Sequence, residues 1–177
     1  MSNEEDVLHQ AIAGGALSRD HLFREPWRVV CAPLLHLHAV HLTTNLLFCG
    51  LLGIVCSVNR SARSTLSIFF MSGWFATVAG VLMQPGWFLG ASGAMFGLLG
   101  ATISANRHTL AGQRLLFVSA VSVLLSVLSK GDPIAHIAGL SSGAVLGRFD
   151  VYKRDLVSNS TLMIALVGMG AGLFRLM

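Results

Sequence analysis

The sequence predicts an all-α fold: a polytopic membrane bundle of about six transmembrane helices. Of its 177 residues, 54% are hydrophobic and only 11% are charged, whereas soluble domains carry about 25% charged residues. Most apolar residues fall into six runs, each close to the ~17–25 residues that span a bilayer. A soluble core of this size could not bury so much apolar sequence, so we expect an integral, multi-pass membrane protein.

The chain divides into a polar tail (residues 1–25), a membrane core (26–150) and an additional C-terminal transmembrane helix (151–177). We expect one short amphipathic helix in the tail, around Val7–Leu17. The predicted membrane spans are residues 32–57, 66–84, 88–106, 115–129, 134–149 and 157–174.

The distribution of basic residues predicts the orientation in the membrane. Lys and Arg are concentrated in the loops after the first, third and fifth spans, namely Arg60, Arg63, Arg107, Arg114, Arg148, Lys153 and Arg154. By the positive-inside rule these loops are cytoplasmic, which places the N-terminal tail outside. The net charge of +4 therefore fits membrane topology, and we predict no nucleic-acid partner. Because no organelle-targeting segment is visible, we expect a bacterial inner membrane.

A serine between glycines begins the third predicted span. In the stretch Gly90-Ala91-Ser92-Gly93, the glycines permit a strained turn and the close approach of another backbone. Ser92 would lie at a helix N-terminus, where free N–H groups and the helix dipole stabilise an oxyanion. A serine in a membrane helix more often bonds to a carbonyl one turn earlier, so Ser92 alone does not establish a nucleophile.

A histidine in the fifth predicted span supplies a base. A buried histidine is most often structural, but His136 is followed by Gly139 and Gly143, which let its helix pack closely against the Ser92 helix. A hydroxyl and an imidazole on such a helix pair form an activated nucleophile. No Asp or Glu lies within any apolar run, so we predict a Ser-His pair without a carboxylate.

Two further polar residues lie in the first span. His41 and Asn45 are four residues apart, share a helix face and can both donate to a developing oxyanion. The run of His36, His38 and His41 raises a metal site as an alternative. Residues 36 and 38 lie on different faces of a helix and no second ligand cluster exists, so we predict no metal and expect His36 to brace the outer loop.

Four motifs in this order and spacing resemble the rhomboid family of intramembrane serine proteases. They are Trp27-Arg28, His41 to Asn45, Gly90 to Gly93, and Ala135-His136 to Gly143. The resemblance implies a catalytic dyad of Ser92 and His136, and an oxyanion hole of His41, Asn45 and the Ser92 amide. The supporting residues would be Trp27, Arg28, Gly90, Gly93, Phe96, Gly139 and Gly143. It also implies cleavage of transmembrane protein substrates within the bilayer near its outer face, commonly after a small residue and without a cofactor.

Two features depart from the family pattern. Phe96 stands where a tyrosine usually stacks on the histidine, and it keeps the ring without the hydroxyl. The usual first core helix has no counterpart, and an extra helix follows the histidine helix. We expect the residues before Pro26, a partner subunit or upstream sequence to support the loop of Trp27 and Arg28.

Other functions stay open at this point. A non-catalytic rhomboid-like protein that binds transmembrane segments would fit the altered helix set, although pseudoenzymes typically lose the serine or histidine that this chain keeps. A rhombosortase-like protease that processes C-terminal sorting anchors would suit a short chain. A channel or transporter subunit is disfavoured, because no charged side chain lies at mid-membrane to line a path.

Overall fold

The computed structural model describes residues 4–58, 60–128 and 131–149. These residues form seven α-helices and one 3₁₀ turn, Ala32–Leu34. The helices are α1 Glu4–Gly14, α2 Arg28–Cys31, α3 Ala39–Ser57, α4 Ala62–Met83, α5 Ser92–Ala105, α6 Leu110–Leu128 and α7 Pro133–Arg148.

The described part of the chain confirms the predicted fold class, a helical membrane bundle. Three of its helices, α3, α4 and α6, are long and apolar enough to cross a membrane, and α5 is a shorter apolar helix. Helix α7 occupies most of the fifth predicted span. The predicted sixth span, residues 157–174, and the predicted C-terminal region 151–177 lie outside the described residues.

Two predicted spans begin later than the sequence suggested. In the span predicted at residues 32–57 the long α-helix begins only at Ala39. It follows a 3₁₀ turn at Ala32–Leu34 and backbone that is extended at Leu35 and His38. The span predicted at 88–106 begins at Ser92.

Helix α5 lies at the centre of the bundle and packs against both α4 and α7, which also contact each other. Glycine makes this packing possible, because a Cβ on Gly139 or Gly143 would lie far inside van der Waals contact of the Gly93 or Gly97 carbonyl oxygen, respectively. The α5 and α7 backbones therefore touch along their length, as small residues allow in membrane helix pairs. This contact brings the start of α7 beside the start of α5.

Helices α3 and α6 lie at the periphery of the described bundle. Their outward faces carry exposed apolar side chains, which suits contact with lipid rather than water. Examples are Leu47 and Ile54 on α3, and Phe117, Leu124 and Leu128 on α6.

The N-terminal segment packs on the C-terminal end of α4 and on the loop before α5. Leu17 and Phe88 exchange main-chain hydrogen bonds of 3.0 and 2.7 Å, which join this segment to the loop before α5. Arg19 donates to the carbonyls of Val81 and Leu82 at the C-terminal end of α4, where the helix dipole favours a cation. The polar tail is therefore folded against the core, and its helix α1 runs from Glu4 to Gly14 rather than around Val7–Leu17.

Candidate active site

Ser92 is the first residue of α5, and the turn before it depends on glycine. Gly90 has φ of +111°, a conformation that residues with a Cβ rarely adopt. A Cβ at Gly90 would also lie 3.1 Å from Cε1 of His41. The turn therefore presents the Ser92 side chain at a helix N-terminus and brings α3 close to it.

His136 meets Ser92 from the first turn of α7. Its Nε2 lies 2.9 Å from Ser92 Oγ, a normal hydrogen-bond distance. The helix begins at Pro133, and the Asp132 side chain caps it by accepting from the Ala135 N–H at 2.9 Å. Burial raises the pKa of Asp132, although hydrogen bonds from the Ala135 and Ile134 amides act in the opposite direction.

Phe96 lies one turn after Ser92 and stacks on the imidazole of His136. The two ring centroids are 4.4 Å apart and the ring planes differ by 14°. Phe96 is 9% exposed, so its ring covers one face of the histidine from inside the bundle. The stacking expected of this residue is thus present without a hydroxyl.

His41 and Asn45 line the opposite side of the Gly90 turn, on α3. Asn45 is buried, and its Nδ2 lies 2.6 Å from Nε2 of His36. His36 Nδ1 lies 3.2 Å from the Leu34 carbonyl, so Nδ1 carries the proton and Nε2 accepts from the Asn45 amide. One Asn45 N–H is used in this way and the second remains for another acceptor.

His36 also contacts His41, and both lie at the outer edge of the site. Their ring centroids are 5.0 Å apart in an edge-to-face arrangement. Burial, and then the neighbouring His41, lower the pKa of His36, which keeps it neutral as the hydrogen bond from Asn45 requires. Within the described ranges no three His, Cys, Asp or Glu side chains cluster as metal ligands would.

Trp27 and Arg28 belong to the N-terminal segment, and Arg28 bonds to other residues of that segment. The Arg28 guanidinium is buried, lies 4.8 Å from the centre of the Trp27 ring, and bonds to Glu25 at 2.9 Å. It also donates to the carbonyls of Ile12 and Ala16. These contacts hold α1 and the outer loop together and place the Trp-Arg pair in a supporting position.

Sequence reasoning missed one residue in contact with the site. The Oγ of Ser126, on α6, lies 2.7 Å from Nδ1 of His136. The signal was present, because Ser126 stands ten residues before His136 across a turn marked by Gly131, Asp132 and Pro133. A serine near the end of an apolar helix is too common, however, to be singled out without the fold.

The described geometry places the Nε2 of the His136 imidazole beside the Ser92 hydroxyl. The first N–H groups of α5 lack intrahelical partners and can stabilise negative charge next to it. His41 and Asn45 approach the same turn and carry further donors. The arrangement can add a serine oxygen to a carbonyl carbon and stabilise the resulting oxyanion.

Comparison with known proteins gives a consistent picture. The family model of the Rhomboid domain matches residues 24–153. RHOMBOID-like protein 1 of Arabidopsis thaliana is 32% identical over 133 residues, 70% of this chain and 34% of that protein. RHOMBOID-like protein 2 of the same plant is 34% identical over 68% of this chain and 41% of its own length. Rhomboid-like protease 2 of Toxoplasma gondii is 29% identical over 70% of this chain and 47% of its own length. The match thus spans less than half of each of these three relatives.

Proposed function

This chain belongs to the rhomboid family, and we propose that it is an intramembrane serine endopeptidase with Ser92 and His136 as its catalytic dyad. The family supports an intramembrane protease-like function, and the chain is an integral membrane protein. Its proposed substrates are transmembrane segments of other proteins, cut near the outer face of the bilayer.

One observation carries this proposal: the 2.9 Å contact between Ser92 Oγ and His136 Nε2. These residues come from two helices and stand 44 positions apart in the sequence, so a local turn does not explain their contact. An imidazole at this distance is within reach of the hydroxyl proton that a general base must remove.

The proposed reaction proceeds by acyl transfer. His136 Nε2 takes the Ser92 proton as Oγ attacks the scissile carbonyl carbon, and the imidazolium then returns that proton to the leaving amine. Water entering from the outer side attacks the acyl-enzyme, with His136 again accepting a proton. The Ser92 amide, His41 and Asn45 donate to the oxyanion in both steps, and loss of one such donor typically slows the reaction ~10²–10³-fold.

The test combines a probe of the serine with a probe of cleavage. The purified protein in detergent is treated with a fluorophosphonate, beside Ser92→Ala, His136→Ala and the matched control Ser142→Ala, whose hydroxyl bonds within its own helix. Wild type and Ser142→Ala should be labelled, and the two site variants should not. The same four proteins in vesicles are then assayed against a panel of reporters carrying single transmembrane segments.

The results separate the two candidate functions of this family member. Cleavage that disappears in Ser92→Ala supports the protease. A Ser92→Ala protein that restores full biological function to a deletion strain would instead favour a pseudoprotease that binds transmembrane segments, and would refute the dyad.

The location and the partners of the proposed enzyme are predicted from the sequence. An outward N-terminus follows from the charge distribution, and a bacterial inner membrane stays a prediction, because the relatives compared come from a plant and an apicomplexan parasite. A partner subunit that supports the Trp27–Arg28 loop likewise stays a prediction. The location is checked by fractionating the native cells.

A further inference from the structure

We infer that Ser126 is a positioning residue for His136: its hydroxyl accepts the Nδ1–H and thereby keeps the Nε2 lone pair directed at Ser92. The inference rests on the proposed function, because it assigns a role within the same site. It begins from two distances at one oxygen, 2.7 Å to His136 Nδ1 and 3.0 Å to the Ser122 carbonyl.

The second of these distances assigns the direction of the first hydrogen bond. A serine hydroxyl has one proton to donate and lone pairs to accept with. The Ser122 carbonyl can only accept, so the Ser126 proton is directed to it. With its proton directed to that carbonyl, the Ser126 oxygen is an acceptor for His136, which favours the imidazole proton on Nδ1.

The consequence reaches the proposed nucleophile. A neutral imidazole with its proton on Nδ1 has a lone pair on Nε2, the atom that faces Ser92 at 2.9 Å. The opposite tautomer would present an N–H to the Ser92 oxygen and could not take its proton. The hydrogen-bond order is therefore Ser92 to His136, His136 to Ser126, and Ser126 to the Ser122 carbonyl.

A bland alternative is that Ser126 merely bonds back to its own helix. The same bond occurs at Ser67 and Ser142, whose hydroxyls contact carbonyls of α4 and α7, respectively. Ser126 differs because its oxygen also lies against an imidazole nitrogen. The α6–α7 turn fixes this contact: the Gly131 N–H bonds to the Ser126 carbonyl at 2.7 Å, and a Cβ on Gly131 would lie 3.2 Å from that oxygen.

A hydroxyl suits this place better than a carboxylate. No acidic residue occurs between Glu25 and Asp132 in the sequence, and an ionised carboxylate inside a bilayer is costly. A serine accepts the Nδ1–H without introducing a charge. It keeps accepting when His136 becomes an imidazolium, whose N–H groups are stronger donors.

The test compares Ser126→Thr with Ser126→Val, two side chains of nearly the same shape. Threonine keeps an oxygen that can bond to the carbonyl one turn earlier and to His136, whereas valine does not. Each variant is reacted with a fluorophosphonate probe at a series of probe concentrations. The dependence gives two values, the maximal labelling rate and the half-saturating probe concentration. Circular dichroism and gel filtration compare folding, and Ser126→Ala and Ser142→Ala are measured alongside.

We expect Ser126→Thr to label within about twofold of wild type. Ser126→Val should label about tenfold more slowly, as expected for one lost hydrogen bond, with the half-saturating probe concentration unchanged. Equal labelling rates for the threonine and valine variants would overturn the inference. This holds whether both rates match wild type or both are lower because both variants are less stable. If Ser92→Ala is also labelled or active, the proposed function has failed; if Ser92→Ala is inactive while valine matches threonine, only the role of Ser126 has failed.

Discussion

The hydrogen bonds of single residues in this site depend on which ring nitrogen of each histidine carries the proton. His36 donates from Nδ1 to the Leu34 carbonyl and accepts from Asn45 at Nε2. His136 has Ser126 at Nδ1 and Ser92 at Nε2. His36 functions as a neutral group with one donor and one acceptor, and the role proposed for His136 requires the same of its ring. Protonation of either imidazole would then remove an acceptor that a neighbour uses.

His36 gives a prediction about pH. Burial lowers its pKa below the ordinary value of 6.5, with His41 as a second cause, so the folded protein binds this proton less readily than the unfolded chain. The stability that neutral His36 contributes is complete above pH 6.5 and is lost as the pH falls through the lowered folded value. We expect the melting temperature of wild type to fall between about pH 7 and pH 5 more steeply than that of His36→Gln.

The control for this prediction is His108, an exposed histidine in the loop between α5 and α6. A His108→Gln protein should show the pH dependence of wild type, because the substitution leaves the contacts of His36 with Asn45 and His41 in place. Melting temperatures are recorded by tryptophan fluorescence at each pH. If they fall equally steeply with pH in wild type and in His36→Gln, the assignment of a neutral, half-buried His36 is contradicted.

At this scale the sequence predicted that Ser92 and His136 would approach each other and that Phe96 would stack on the imidazole, but not the contacts of Ser126 and His36. Glycine spacing and an apolar setting make Ser92 and His136 conspicuous in the sequence itself. The Ser126 contact and the hydrogen bond between His36 and Asn45 depend on helix ends meeting in space. Sequence spacing alone carries no information on such contacts when serines and histidines are frequent nearby.

At the scale of elements, the helix pair of α5 and α7 determines the site. The backbone contact between Gly93 and Gly139 adjoins the Ser92–His136 hydrogen bond, because Gly93 follows Ser92 directly and Gly139 stands three residues after His136. The sequence predicted this packing from the glycine spacing. It did not predict the late start of α3, because the hydropathy of residues 32–38 does not distinguish a 3₁₀ turn and extended backbone from a continuous helix.

We predict that Gly139→Ala separates these helices and disables the site. Its Cβ would lie more than an ångström inside ordinary van der Waals contact with the Gly93 carbonyl oxygen, so α7 must move away from α5 by about that distance. A displacement near ~1 Å at reacting groups can cost ~10²-fold in rate. Fluorophosphonate labelling should fall by about that factor while helical content is kept.

The matched control is the same substitution on α3. A Cβ at Gly53 would meet no atom within 4 Å, and alanine favours a helix over glycine by up to about 1 kcal/mol. Gly53→Ala should therefore label like wild type and unfold at an equal or higher temperature. Labelling of Gly139→Ala at the wild-type rate would show that the close packing of α5 and α7 does not set the site.

At the scale of the whole molecule, the N-terminal segment joins elements that are distant in the sequence. Arg19 reaches carbonyls 62 and 63 residues away at the end of α4, and Leu17 pairs with Phe88 just before the Ser92 turn. The sequence identified this segment as a polar tail with one helix. It could not predict that the tail folds onto the core, because polarity and length do not specify which distant backbone groups it will bond.

Arg28 is the residue on which this arrangement depends most, and it carries the last prediction. It is 6% exposed, bonds to Glu25, and donates to carbonyls that precede and follow the end of α1. In Arg28→Ala the buried Ala16 carbonyl loses its donor, at a cost of ~1–3 kcal/mol for an unsatisfied group, whereas the Ile12 carbonyl keeps the Gly15 N–H. We expect the Leu17 and Phe88 amides to exchange hydrogen for deuterium about 10- to 100-fold faster, and labelling of Ser92 to slow, because the loop before α5 loses its support.

The control is the exposed Arg24, and Arg24→Ala should exchange like wild type. Unchanged protection at Leu17 and Phe88 in Arg28→Ala would mean that the N-terminal segment is held by its apolar contacts instead.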